Sequence, residues 1–166
     1  MQLSRAVWPL WALSSSTRPR RPFRFFKATF SGENVALWQR DAGAAQPEST
    51  KQKEQVICQA ELAAVVIAVA TWAGLMKHRD ALLFVDNDPA KDALVNGCSK
   101  STASAEMVRF CRLLCAQHAI APWVDRVPSP SNIADGPSRG ESEVLVSAGA
   151  MRVAPHQVSE LSQSFA

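Results

Sequence analysis

Trp123-Val-Asp-Arg-Val-Pro-Ser-Pro-Ser-Asn-Ile-Ala-Asp-Gly-Pro-Ser-Arg139 carries a β-like apolar run into a turn broken by Pro128 and Pro130, and the turn presents one acid, Asp135. Two stretches upstream have the same form. Ala81-Leu-Leu-Phe-Val-Asp86-Asn87 is an apolar run ending in a carboxylate, and Gln59-Ala-Glu61-Leu62 sets a carboxylate at the start of a long apolar helix. Three acids, each at the edge of a buried element, suggest that the elements bring them together.

The elements follow from spacing. Leu62, Val65, Val66, Val69, Trp72, Ala73 and Met76 recur at three- and four-residue steps, predicting a helix from about Gln59 to Lys77 with one apolar stripe. Ala81 to Asp86 is nearly all apolar, the pattern of a strand covered on both faces. Asp88-Pro89 reads as an N-cap followed by proline at the first helical position, so a helix should run to Asn96 and stop at Gly97. Met107, Phe110, Cys111, Leu114 and His118 predict a helix from Ala103 to His118, leading into a strand over Pro122 to Val127. Upstream, Phe23 to Phe30 reads as a strand, Ser31 caps a brief helix through Gln39, and Asp41 to Lys53 reads as a polar linker. This order of elements belongs to an α/β layer fold.

A chain of 166 residues suits one domain. Its net charge of +3 is unevenly spread, because residues 1–30 hold five Arg and one Lys with no acid, leaving 12 basic against 15 acidic residues in the remainder. The division expected is a basic leader without order over residues 1–22, a folded domain over 23–140 and a loosely attached tail over 141–166. An acid-free Arg/Ser-rich leader has the composition of an organelle transit peptide or of an arm that contacts phosphates. A secretory signal fits poorly, since Pro9 interrupts the Val7–Leu13 apolar run. Cys58, Cys98, Cys111 and Cys115 form no metal-site spacing and read as small core residues. The uncharged run Leu62–Met76 is 15 residues long, short of the ~20 that cross a bilayer, so no membrane is expected.

Hard divalent cations take oxygen ligands, and paired ions can activate water and neutralise a leaving oxyanion in phosphodiester hydrolysis. Carboxylates at the carboxyl ends of adjacent strands, with one from a covering helix, can build such a cage. Each acid also has a plainer reading. Glu61 complements a helix dipole, Asp135 suits a turn, and Asp86 ends a strand, although alternation sets it on the side of Leu82 and Phe84.

Gln59-Ala-Glu61-Leu62, Phe84-Val-Asp86-Asn87 followed by Ala90 and Leu94, and Val127-Pro-Ser-Pro-Ser-Asn132-Ile-Ala-Asp135-Gly-Pro-Ser-Arg139 together resemble the ribonuclease H domain of retrotransposon reverse transcriptases. The resemblance covers about Gln55 to Gly140. It implies an RNase H-like mixed sheet flanked by helices and Mg²⁺- or Mn²⁺-dependent cleavage of RNA in an RNA/DNA hybrid. Glu61, Asp86 and Asp135 would then be the catalytic, metal-binding carboxylates, with Asn87, Ser131, Asn132, Ser138 and Arg139 toward the nucleic acid. The family begins with a strand bearing a further catalytic Asp and a hairpin. Here no acid precedes Glu33, and Phe23–Phe30 resembles the third strand, so the domain reads as truncated at its N-terminus. Such a loss removes a ligand and leaves backbone groups beside the strand ending at Asp86 without partners. The alternative reading is a non-catalytic nucleic-acid-binding module, with the Arg18–Arg24 cluster on phosphates and Trp or Phe side chains stacked on bases.

Overall fold

A long helix, apolar on nearly every side, organises the molecule. In the computed structural model, residues 3–7, 24–41 and 50–156 are described. They run as β1 (Leu3–Val7), β2 (Arg24–Phe30), α1 (Gly32–Asp41), α2 (Thr50–Met76), β3 (Asp80–Val85), α3 (Asp88–Asn96), α4 (Thr102–Gln117), β4 (Ala121–Arg126), α5 (Asp135–Arg139), α6 (Glu143–Ser147) and β5 (Met151–Arg152). A 3₁₀ turn spans Ser129–Ser131. The fold is mixed α/β, with one sheet ordered β1-β2-β5 and a second pairing β3 with β4.

The expected apolar stripe on α2 widens to cover most of the helix's girth. Val56, Ala60, Leu62, Ala64 through Val69, Trp72 and Met76 are all buried, as in a helix enclosed by neighbours. Gln59, also buried, donates from Nε2 to Ser101 Oγ at 3.0 Å and ties α2 to the start of α4. The helix begins at Thr50, so the last residues of the predicted linker are helical, and residues 42–49 lie outside the described residues. Its Lys53–Met76 portion is long and apolar enough to cross a membrane, because Val56, Ile57, Cys58 and Ala60 extend the apolar run past Glu61. In this fold 78% of its most apolar window is buried inside the protein.

β2 supplies the aromatic half of the core. Phe25, Phe26 and Phe30 are buried; Phe26 packs on Trp72 with ring centroids 5.1 Å apart, and Phe30 meets Trp38 edge-on at 5.2 Å. Phe25 and Phe26 point to opposite sides of β2 by alternation, so both of its sides are covered there. Helix α1 starts as expected at Ser31, whose Oγ accepts from Asn34 N–H at 3.2 Å while Asn34 Oδ1 accepts from Ser31 N–H at 3.1 Å, a reciprocal cap.

Both ends of the chain depart from expectation. Part of the leader forms β1, antiparallel to β2 with Leu3 opposite Phe30 and Val7 opposite Phe26, whereas residues 8–23 lie outside the described residues. The tail is also fastened: β5 runs parallel to β2, Val153 N–H donates to Phe25 O at 2.8 Å, and His156 N–H donates to Thr71 Oγ1 at 2.8 Å. Residues 157–166 lie outside the described residues.

β3 and β4 are parallel, pairing Asp80 with Ala121 through Val85 with Arg126. Only one face of β3 is covered, contrary to the prediction. Ala81 and Val85 are buried, whereas Leu82 is 51% and Phe84 45% exposed. An apolar run alone does not tell one covered face from two, and here the helices pack on the Ala81/Val85 side. The cap of α3 is Asn87 rather than Asp88: Asn87 Oδ1 accepts from Ala90 N–H at 2.9 Å. The helix ends as predicted at Gly97, with φ 76° and its N–H on Ala93 O at 2.9 Å. Arg112 lies over that glycine and donates to Val95 O at 3.1 Å, so a helix C-terminus is closed by a cation from α4.

Candidate acidic site at the strand ends

β3 and β4 stop together, and Val127 N–H extends their pairing by one bond to Val85 O at 3.1 Å. The chain beyond each strand therefore emerges at the same carboxyl edge, where open α/β sheets place their ligands. From β3 comes Asp86. From β4 come Pro128, extended at φ −60° and ψ 136°, and then the 3₁₀ turn.

Asn132 shapes that turn. Its Oδ1 accepts from Ala134 N–H at 3.1 Å and its backbone O accepts from Asp135 N–H at 3.0 Å, the local bonding that suits asparagine to turns. Its Nδ2 reaches across to Asp86 Oδ2 at 3.1 Å. One side chain thus fixes the loop internally and ties it to the end of β3. Asp135 opens α5, and its Oδ2 is 2.7 Å from Arg139 NH2, one helical turn on. Ser138 Oγ donates to Asp135 O at 2.7 Å, and Gly140 closes the helix at φ 101°.

The sequence-predicted residues thus divide. Asp86, Asn132, Asp135, Ser138 and Arg139 lie within one hydrogen-bonded turn and its anchor. Asn87 spends its side-chain oxygen on capping α3, and Ser131 closes the 3₁₀ turn through its N–H to Pro128 O at 2.8 Å. Glu61 sits on α2 two residues beyond Gln59 and is half-buried, with its charge close enough to act on Cys58. Arg24, the only member of the Arg18–Arg24 cluster among the described residues, is half-buried at the start of β2.

The spacing signals passed over Arg126 and gave Asp88 only a capping role. Arg126 Nε lies 3.0 Å from Asp88 Oδ1, and Lys91 Nζ lies 4.0 Å from the same oxygen and 3.1 Å from Asp92 Oδ1. These exposed pairs are each worth only a few tenths of a kcal/mol up to about 1 kcal/mol. Their value is placement, since Arg126 links the end of β4 to the first turn of α3 beside Asp86. Asp88, read from the sequence as a cap, is therefore an ion-pair partner.

A two-ion phosphodiesterase site needs several carboxylates free to share cations. Among the described residues, no three His, Cys, Asp or Glu side chains come together as a metal-binding group. Asp135 is already neutralised by Arg139, and Asp86 is held by a neutral amide donor. The donor set in this arrangement is therefore smaller than a Mg²⁺ or Mn²⁺ pair ordinarily takes.

The thiols are structural, as their spacing suggested, except that Cys98 is exposed while Cys58, Cys111 and Cys115 are buried. Burial, reinforced by the nearby Glu61 charge, pushes Cys58 from its ordinary 9.0 to about 11. The hydrogen bond between Cys111 and Cys115 raises the first thiol and lowers the second. Native protein at pH 8 is expected to release one equivalent of thionitrobenzoate quickly, from Cys98, and the other three only on unfolding. Because the folded state holds the Cys58 proton more tightly than the unfolded chain, its contribution is complete below pH 9 and is lost as pH rises toward 11. Cys58→Ala should flatten the fall in urea midpoint across that window.

No protein family's sequence pattern matches this chain, and neither a curated protein nor a solved structure matches it.

Proposed function

We propose that the chain is a retroelement-derived RNase H-like domain whose catalytic set is incomplete, so that it recognises RNA/DNA hybrids with cleavage far below that of a complete site. The observation that carries this reading is the hydrogen bond from Asn132 Nδ2 to Asp86 Oδ2 at 3.1 Å. It joins the two most specific stretches of the resemblance, 46 residues apart in sequence, at the carboxyl edge of two parallel strands. Turn chemistry alone would account for Asn132 and Asp135 but not for the reach to β3.

The same fold supplies a reason for weak chemistry. β1 lies against α2 and α5, yet its sequence, Leu3-Ser-Arg-Ala-Val7, contains no acid, whereas the resemblance calls for a carboxylate on the first strand. A missing carboxylate weakens the hold on the divalent ion that would activate water and neutralise the leaving oxyanion, and the Arg139–Asp135 pair further reduces the free negative charge.

A labelled RNA/DNA hybrid, incubated with the full chain in Mg²⁺ and separately in Mn²⁺, tests the proposal. Hybrid binding in preference to duplex DNA, with slow cleavage that disappears in Asp86→Asn, is the expected outcome. Cleavage indifferent to Asp86→Asn, or no preference for the hybrid, rejects it.

A further inference from the structure

The uncovered face of the β3–β4 pair has a composition of its own. Parallel register sets Leu82 beside Trp123 and Phe84 beside Asp125, with Asp80 beside Ala121 at the other end. Alternation puts Asp80, Leu82, Phe84, Ala121, Trp123 and Asp125 on one side of the sheet. The three large apolar members are exposed by 51%, 45% and 68% for Leu82, Phe84 and Trp123. Apolar residues in the middle and a carboxylate toward each end describe the whole face, and neither strand contributes a base to it.

Parallel strands normally have both faces covered, so this face is an exception. The exposed portions of the three side chains amount to on the order of 300 Å², the scale of a functional patch and well below the ~800 Å² per partner of a standard protein–protein interface. A second copy of the chain laid face to face would bring carboxylates at both ends toward carboxylates, which opposes self-pairing. The area suits a short segment, and the charges select its sign.

We propose that the open face of β3 and β4 docks a short basic protein segment with an apolar centre, its Lys or Arg side chains meeting Asp80 and Asp125 while its apolar residues cover Leu82, Phe84 and Trp123. Indole, phenyl and isobutyl groups supply the anchor, as aromatic residues do at binding hot spots, and the carboxylates set orientation and salt dependence.

The probe is a short fluorescein-labelled peptide of alternating Leu and Lys, followed by anisotropy against the full chain, with a Leu/Glu peptide of equal length beside it. The Leu/Lys peptide should bind and the Leu/Glu peptide should not. Trp123→Ser should weaken binding roughly ten- to thirty-fold with no loss of thermal midpoint, since the side chain is mostly exposed, and Trp123→Phe should restore most of it. Asp80→Asn combined with Asp125→Asn should weaken binding and flatten its salt dependence. Equal binding of the two peptides, or indifference to Trp123→Ser, overturns the proposal. So does a concentration-dependent dimer in sedimentation that Trp123→Ser abolishes, which would seat a second copy there, or competition by oligo(dT), which would make the face a nucleic-acid platform.

Discussion

Phe26→Ala is expected to cost about 4 kcal/mol, within the 3–5 kcal/mol range for truncating a buried phenyl ring, and to leave much of the population unfolded at 37 °C. Phe26 is completely buried, and its ring lies against Trp72, 5.1 Å between centroids, where β2 meets the last turns of α2. The substitution opens a void between sheet and helix and removes the aromatic pair, itself worth about 0.5–1.5 kcal/mol beyond area. Domains of this size hold only about 5–15 kcal/mol in reserve, so the loss is a large fraction of the total. Urea unfolding followed by far-UV circular dichroism gives the number. Leu82→Ala serves as comparison, because its side chain is half exposed and should cost no more than about 1 kcal/mol. Equal costs at the two positions would mean that the aromatic core described above is not what holds β2 to α2.

Val153→Pro is expected to cost about 2–3 kcal/mol, against about 1 kcal/mol for Val153→Ala. Proline has no N–H, so the 2.8 Å bond to Phe25 O disappears while that buried carbonyl loses its donor. The alanine variant keeps the bond and loses only packing against the core. Disruption should spread to the neighbouring fastenings, the Met151 and Arg152 pairing with Arg24 and Phe25 and the His156 N–H bond to Thr71. Thermal midpoints of the two variants, with amide exchange along β2, separate these contributions. A proline variant no weaker than the alanine variant would make residues 151–156 the loosely attached tail that their sequence suggested.

How legible the molecule was depends on where the determining interactions lie. Local chemistry was readable: the Ser31 cap, the Gly97 stop and the helical spacing of Met107, Phe110, Cys111 and Leu114 correspond to α1, α3 and α4. Asn87 and Asp88 are both good caps, and the one-residue difference was settled by which oxygen reached Ala90 N–H. The first turns of α2 were missed because Thr50 through Gln55 has no apolar period and becomes helical as an extension of a buried segment. β1 and β5 escaped notice because strands this short are set by their partners. The turn around Asp135 was visible as a motif, and the Arg139 pairing was implicit in the four-residue spacing but had been read as a phosphate contact. Which face of α2 carries Glu61 toward its neighbours depends on how the helix is rotated, which spacing does not specify.

The parallel pairing of β2 with β5 sets Arg24 beside Met151. During synthesis, one edge of an early strand must therefore wait for residues 151 and 152, which leave the ribosome much later. Until then Phe25 and the adjoining backbone groups stand open on a nascent chain, the kind of exposed edge that recruits chaperones or other strands. Maturation of this domain is thereby tied to the synthesis of residues 151–153, and a chain cut before Ala150 would keep that sheet unfinished.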